Sequence, residues 1–347
     1  MHERHALGRR QTRRHFLRTT AAAAVVAPLT NNAVAKPTVY DGLRSDRYLG
    51  EISVLAQVKD EAVFTEGPAV DRDGNVLFTN VPASKILKWN PRGRELSVFR
   101  HSSHETNGLY FAPDGSLLAC EGGAARVTRT DPGSGEITVL AAGYEGKRLA
   151  KPNDLCMDGE GRIYFTSRSG IQDVDGENGK AVYRIDQDGS VQQILAWPEV
   201  HMPNGIVTSP DNRQLYLIEA HPDADHHRDI RVFDLNAHGT VSNGRVLIDF
   251  YPGRSGDGMC IDAEGNLYVA AGLHKTRNTS ETLDTRPGIH VISPGGELLA
   301  YRETPEDTVT NCTFGGSDLK TLYIACGSVL VSLRTAIAGK ASYLPNV

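Results

Sequence analysis

The feature that most limits what this chain can fold into is a motif that occurs six times. Glu66-Gly67-Pro68 leads into AVDRDGNVLFTN, Asn107-Gly108 into LYFAPDGSLLACEGG and Asn153-Asp154 into LCMDGEGRIYFTS. Asn204-Gly205 leads into IVTSPDNRQLYLIEA, Asp257-Gly258 into MCIDAEGNLYVAAG and Asn311 into CTFGGSDLKTLYIAC. Each copy is a polar amide or carboxylate, a short apolar strand, a tight turn and a second β-rich strand. The turns are mostly of Asp/Glu-Gly type, and these residues tolerate the positive φ that hairpins require. The starts are 41, 46, 51, 53 and 54 residues apart. A repeat of that length, with room for two further strands, is the pattern of a β-propeller blade. The extra strands are visible after the second copy, at 126–130 and 137–141, and after the third, at 182–186 and 191–196.

Six copies predict an all-β, six-bladed propeller with four-stranded blades. The last copy is one strand short. The run ISVLAQV at 52–58 precedes the first copy and belongs to no blade of its own. It is expected to pair with the last blade and close the ring, which removes an exposed sheet edge. A sandwich also spaces short strands regularly, but it gives no reason for the same polar position to recur in every unit.

The ends bound the folded part. Thr12-Arg13-Arg14-His15-Phe16-Leu17-Arg18, an Ala-rich apolar run and Ala33-Val34-Ala35 form a twin-arginine export signal with a cleavage site. Residues 1–35 are therefore assigned to the signal, 36–48 to a linker and 49–347 to the propeller, with a periplasmic or secreted destination. The apolar run is too short to span a bilayer. Removing its six Arg and one Glu leaves 31 basic and 41 acidic residues, a net charge of −10. An acidic chain without a basic cluster is a poor partner for nucleic acid. Five cysteines, at 120, 156, 260, 312 and 326, include no CxxC pair. They read as buried thiols, with a Cys312–Cys326 bridge across one hairpin as an alternative.

In a propeller the first strand of every blade lines the central channel. Glu66, Asn107, Asn153, Asn204, Asp257 and Asn311 are then expected as a ring of oxygens at one mouth. Two carboxylates and four amides suit a hard divalent cation, calcium before magnesium. Asn and Asp also cap turns, which is the bland account of any one of them.

With these starts aligned, the chain resembles the family of gluconolactonases, senescence marker protein (regucalcin) and luciferin-regenerating enzyme. The resemblance spans about residues 50 to 335. It rests on Glu66-Gly67-Pro68, YEGKRLAKPNDL at 144–155, MPNGI at 202–206, GDGMCIDAEGNLYVA at 256–270 and NCTFGG at 311–316. It implies one divalent metal held by Glu66, Asn204 and Asp257, with Asn153 beside it. Calcium is the expected ion, and zinc, magnesium or manganese could replace it. Lys151 stands where a basic residue often orients substrate, and Asn107 and Asn311 are expected to line the pocket. Two stretches depart from the pattern. Cys120-Glu121-Gly122 stands where bacterial relatives often carry Cys-Glu-His. Ser167-Arg168-Ser169-Gly170 stands where they often carry Asp-Pro-Pro-Tyr.

The implied chemistry is opening of a sugar lactone by metal-activated water, with Asp257 as the catalytic base. Glu66 is assigned to binding alone. His201, three residues before Asn204, is a candidate acid, base or pocket wall. His221, His226 and His227 form either a second metal site or a solvated loop. The absence of a Gly-x-Ser-x-Gly elbow argues against a serine hydrolase. A calcium-dependent phosphotriesterase resembling diisopropylfluorophosphatase, and a non-catalytic ligand-binding propeller, remain as alternatives.

Overall fold

A computed structural model describes residues 38–340 and 342. The expected export signal at 1–35 lies outside the described residues. Six four-stranded antiparallel sheets form the six-bladed propeller. Their inner strands are Thr65–Val70, Thr106–Phe111, Pro152–Met157, Pro203–Thr208, Gly256–Ile261 and Val309–Gly315. The blades are numbered one to six in that order.

The hairpins after the inner strands are set by the Asp-Gly chemistry of the repeat. In blade one, Asp71 Oδ1 accepts the N–H groups of Asp73 at 2.9 Å and Asn75 at 2.8 Å, while Gly74 takes φ +84°. Asp158 with Gly161 and Asp262 with Gly265 repeat this arrangement in blades three and five. The aspartate closes the turn onto its own backbone, and the glycine takes the left-handed position at no steric cost.

The core is divided into wedges between neighbouring blades. Phe78, Val70, Tyr323 and Leu330 fill the wedge between blades six and one. Cys120, Leu118, Phe165 and Tyr183 fill that between two and three. Tyr268, Phe314 and Val331 fill that between five and six. Both faces of each sheet are therefore covered, and the inner strands are almost wholly buried.

Ring closure follows the sequence expectation. Strand Ser53–Gln57 pairs antiparallel with Val329–Arg334, in the register Ser53 to Ser332 and Gln57 to Val329. It becomes the outer strand of blade six. Residues just before it lie on blade five: Tyr40 Oη is 3.0 Å from His290 Nε2 and Asp46 pairs with Arg302 at 2.6 Å. At the far end of the channel, Gly339 lies against Phe314, where an added Cβ would stand 1.8 Å from the ring. Lys340 and Ser342 line the cavity of about 80 Å³ that remains there. These residues lie at the end of the channel opposite the one at which the inner strands begin.

The five cysteines are free thiols. Cys312 faces Ile324 in the sheet and Cys326 faces Val309, so the hairpin pairing is not made. Cys312 instead lies 3.5 Å, sulfur to sulfur, from Cys260 of blade five.

Candidate functional site

Each inner strand enters through a β-bulge, which turns two successive residues toward the channel. The bulges follow Thr106, Pro152, Pro203 and Gly256 in blades two to five. They stack the entering residues into two layers. Equivalent register positions put Glu66, Asn107, Asn153, Asn204 and Asp257 in the upper layer. The lower layer holds Gly67, Gly108, Asp154, Gly205 and Gly258.

Blade six differs from the sequence expectation. Its bulge follows Val309, which pairs with Cys326, and Asn311 pairs with Ala325. Thr310 therefore occupies the upper position, with its hydroxyl donating to Thr65 O at 2.7 Å. Asn311 drops to the lower layer, beside Asp154, and its Nδ2 donates to Asp154 Oδ2 at 3.1 Å. Residue type suggested the upper ring; strand register decides the lower one.

The lower layer explains the recurrent glycine. A Cβ on Gly258 would stand 2.1–2.4 Å from the Asn311 amide, and one on Gly108 would stand 2.6 Å from Asp154 Oδ1. Four glycines make the space that two side chains, Asp154 and Asn311, then span.

The upper layer is a buried cluster of oxygens. Glu66, Asn204 and Asp257 are each about 4 % exposed or less. Asn204 Nδ2 donates to Asp257 Oδ1 at 2.7 Å, so the amide keeps its carbonyl oxygen for another partner. Arg254 holds the other oxygen of Asp257 at 2.6 Å. Among the described residues Glu66 accepts one hydrogen bond, from the N–H of its neighbour Gly67 at 3.2 Å. Burial, and then the charges of Asp257 and Asp154, hold its carboxyl well above the usual carboxylate range. Burial pushes Asp154 up to about 7.

Two buried carboxylates, Glu66 and Asp257, beside the buried amides of Asn153 and Asn204 make an oxygen donor set that fits a hard divalent ion. Among the described residues no three His, Cys, Asp or Glu side chains gather as a metal site by themselves. An ion held here would therefore use the oxygens of Asn153 and Asn204 as well as Glu66 and Asp257.

The other predicted residues fall into two groups. Asn107, Lys151 and Asn153 line one cleft of about 270 Å³ beside the ring, together with Gly122, Arg168 and Ser169. Lys151 is paired with Glu105 at 2.8 Å. His201 belongs elsewhere on the same face. Its ring stacks on His227 at 3.8 Å and on Trp197 at 4.6 Å, and its Nδ1 accepts the N–H of His227. With His221 and His226 it lines a separate cavity of about 330 Å³. Burial pushes His201 and His221 down to about 4, so these rings are neutral near pH 7.

Four residues were not singled out for the site by sequence: Asp154, Arg168, Glu219 and Arg254. Asp154 was detectable, being a carboxylate where four blades carry glycine. Glu219 ends the second strand of blade four and accepts the N–H groups of His201 and Met202 at 3.0 and 2.6 Å, which fixes the approach to Asn204. Arg168 and Arg254 lie in connecting segments, where no repeat position marks them.

Comparison with known proteins agrees with this architecture. Residues 64–328 match the model of the SMP-30/Gluconolactonase/LRE-like region. A gluconolactonase of Zymomonas mobilis is 27 % identical over 92 % of each chain. Regucalcin of Danio rerio is 26 % identical over 80 % of this chain and 87 % of its own. The solved structure of a gluconolactonase of Xanthomonas campestris superposes with TM-score 0.69 at 27 % identity, over 84 % of this chain and 93 % of that one. With its bulged strand entries and its match over most of the folded part, the chain belongs to the SMP-30/gluconolactonase/LRE-like family.

Proposed function

We propose that this protein is a metal-dependent lactonase that opens the internal ester of a sugar lactone. The observation that carries the reading is the buried set of Glu66, Asn204 and Asp257 oxygens at the accessible mouth of the ring. The gluconolactonases among its relatives support the same reaction class.

A divalent cation bound by Glu66, Asn153, Asn204 and Asp257, calcium by the hardness of its donors, would polarise the ester carbonyl and acidify water. The protein's own groups do the rest. Glu66 supplies charge for binding. Asn204 fixes one oxygen of Asp257 and Arg254 the other, so the carboxylate cannot rotate. Each of its oxygens keeps a second lone pair, and one of these takes the proton of the attacking water. Asn107, Asn153 and Lys151 hold sugar hydroxyls in the adjoining cleft. The expected export signal would put the reaction in the periplasm or outside the cell.

The test is acid release from a panel of aldonolactones, followed by pH drop with and without chelator. Acid release that a chelator stops and calcium restores is expected. Asp257→Asn should lower turnover at least about 100-fold, the usual scale for a lost catalytic base. Silence on every lactone, or turnover indifferent to chelator, would contradict the reading.

A further inference from the structure

We infer that the cleft beside the oxygen ring contains an anion subsite built on Arg168. The substrate is accordingly a lactone that also bears a carboxylate. This deepens the lactonase reading and rests on it for the word lactone; the anion subsite stands on its own observations.

Arg168 immediately follows the strand Ile163–Ser167. It is held from both sides: its N–H donates to Lys151 O at 2.9 Å, and the next residue, Ser169, donates its hydroxyl to Glu177 at 3.1 Å. Its side chain reaches the cleft that Asn107 and Asn153 line. Among the described residues the guanidinium has no hydrogen bond and no ion pair, and its Nε is buried without a partner. A buried donor left unsatisfied is destabilising, and more so when it is charged. A ligand oxygen at that point would remove the cost.

The neighbouring charges do not supply it. Asp257 is already engaged by Arg254 and Asn204. Glu105, the one carboxylate lining the cleft, is taken by Lys151. Glu66 and Asp257 act on Arg168 only through space, and both are the groups that answer a cation. Arg168 is left as the surplus positive charge of the cleft. One guanidinium matches the planar geometry and single charge of a carboxylate, which it can bind through two parallel hydrogen bonds. Gly122, Ser169 and Gly170 on the cleft wall leave the space open. Arg168 and Gly122 are also two of the positions at which the sequence departs from the pattern it otherwise follows.

Two measurements separate this inference from the lactonase reading. The first is binding, by calorimetry, of methyl glucuronide against methyl glucoside, which contain no ester and differ only in a carboxylate against a CH2OH group. The second is turnover of the five-membered lactones of glucaric and gluconic acid, which differ in the same way. The intact protein should prefer the carboxylate member of each pair by about 10-fold or more at low salt. The ratio should fall to within about 2-fold in Arg168→Gln and be partly kept in Arg168→Lys. Equal affinity within the binding pair, no binding of either, or a preference retained by Arg168→Gln would overturn the subsite. Turnover of neither lactone would count against the hydrolase alone, and the binding pair would still decide the subsite.

Discussion

Asp257 and Glu219 show how single buried carboxylates take different roles on one face. Asp257 has a donor on each oxygen. Glu219 gives one oxygen to two backbone N–H groups, while its Oε1 is buried with no partner among the described residues. Burial raises Glu219 from 4.5 to about 7. A carboxyl raised on folding binds its proton more tightly in the folded chain than in the unfolded one. Its contribution to stability is therefore full below pH 4.5 and is lost as pH rises through about 7. The loss amounts to roughly 3 kcal/mol. Glu219→Gln keeps an acceptor for the two N–H groups and removes the titration. Relative to the intact protein, the variant should gain stability between pH 5 and pH 8 in denaturant melts. The histidines, lowered to about 4, lose stability toward acid in both proteins and cancel in the comparison. A pH-independent difference would refute this account of Glu219.

At the scale of the element, the bulged strand entry is the unit that builds the site. The bulge turns one residue to the upper layer and the next to the lower, and the lower residue must be glycine wherever a neighbour crosses it. Gly258→Ala would drive a methyl into the Asn311 amide. Overpacking of this kind costs about 1–3 kcal/mol, so thermal melts should fall by several degrees. A variant as stable as the parent would mean that the layer can shift.

The closing strand is the second such unit. Removing residues up to 57 would uncover Val329–Arg334 as a free edge. The truncated chain should melt far lower or associate, as seen by light scattering. An unchanged monomeric melt would contradict closure by this strand.

These elements also show what was legible beforehand. The blades are legible because the unit recurs with a period, the closing strand because the last unit is one strand short, and the Asp-Gly turns carry their own local chemistry. Residue type alone puts Asn311 in the upper ring, whereas a one-residue difference in bulge length, invisible in sequence, puts it in the lower layer. Arg168 and Arg254 approach the site from loops of unequal length, and only the closed ring brings them to it. His201 is near Asn204 in sequence, yet its ring packs into the His227 stack.

For the whole molecule, six apolar wedges hold six sheets together, and Gly339, Lys340 and Ser342 lie at the lower mouth. The ring geometry is thereby fixed before any ligand arrives. Charges that would be scattered on an open sheet are gathered near one axis, where burial makes any unpaired one costly. A bound ion should in turn stabilise the fold, by about 2.7 kcal/mol at a hundred times its dissociation constant. The most direct test is calorimetric titration of the chelator-stripped protein with calcium, alongside Asp257→Asn. One ion bound per chain, with affinity at least about 100-fold weaker in the variant, is the expected result. Heat of binding that is absent in the intact protein, or unchanged in Asp257→Asn, would contradict the claim that these strand entries form a cation site.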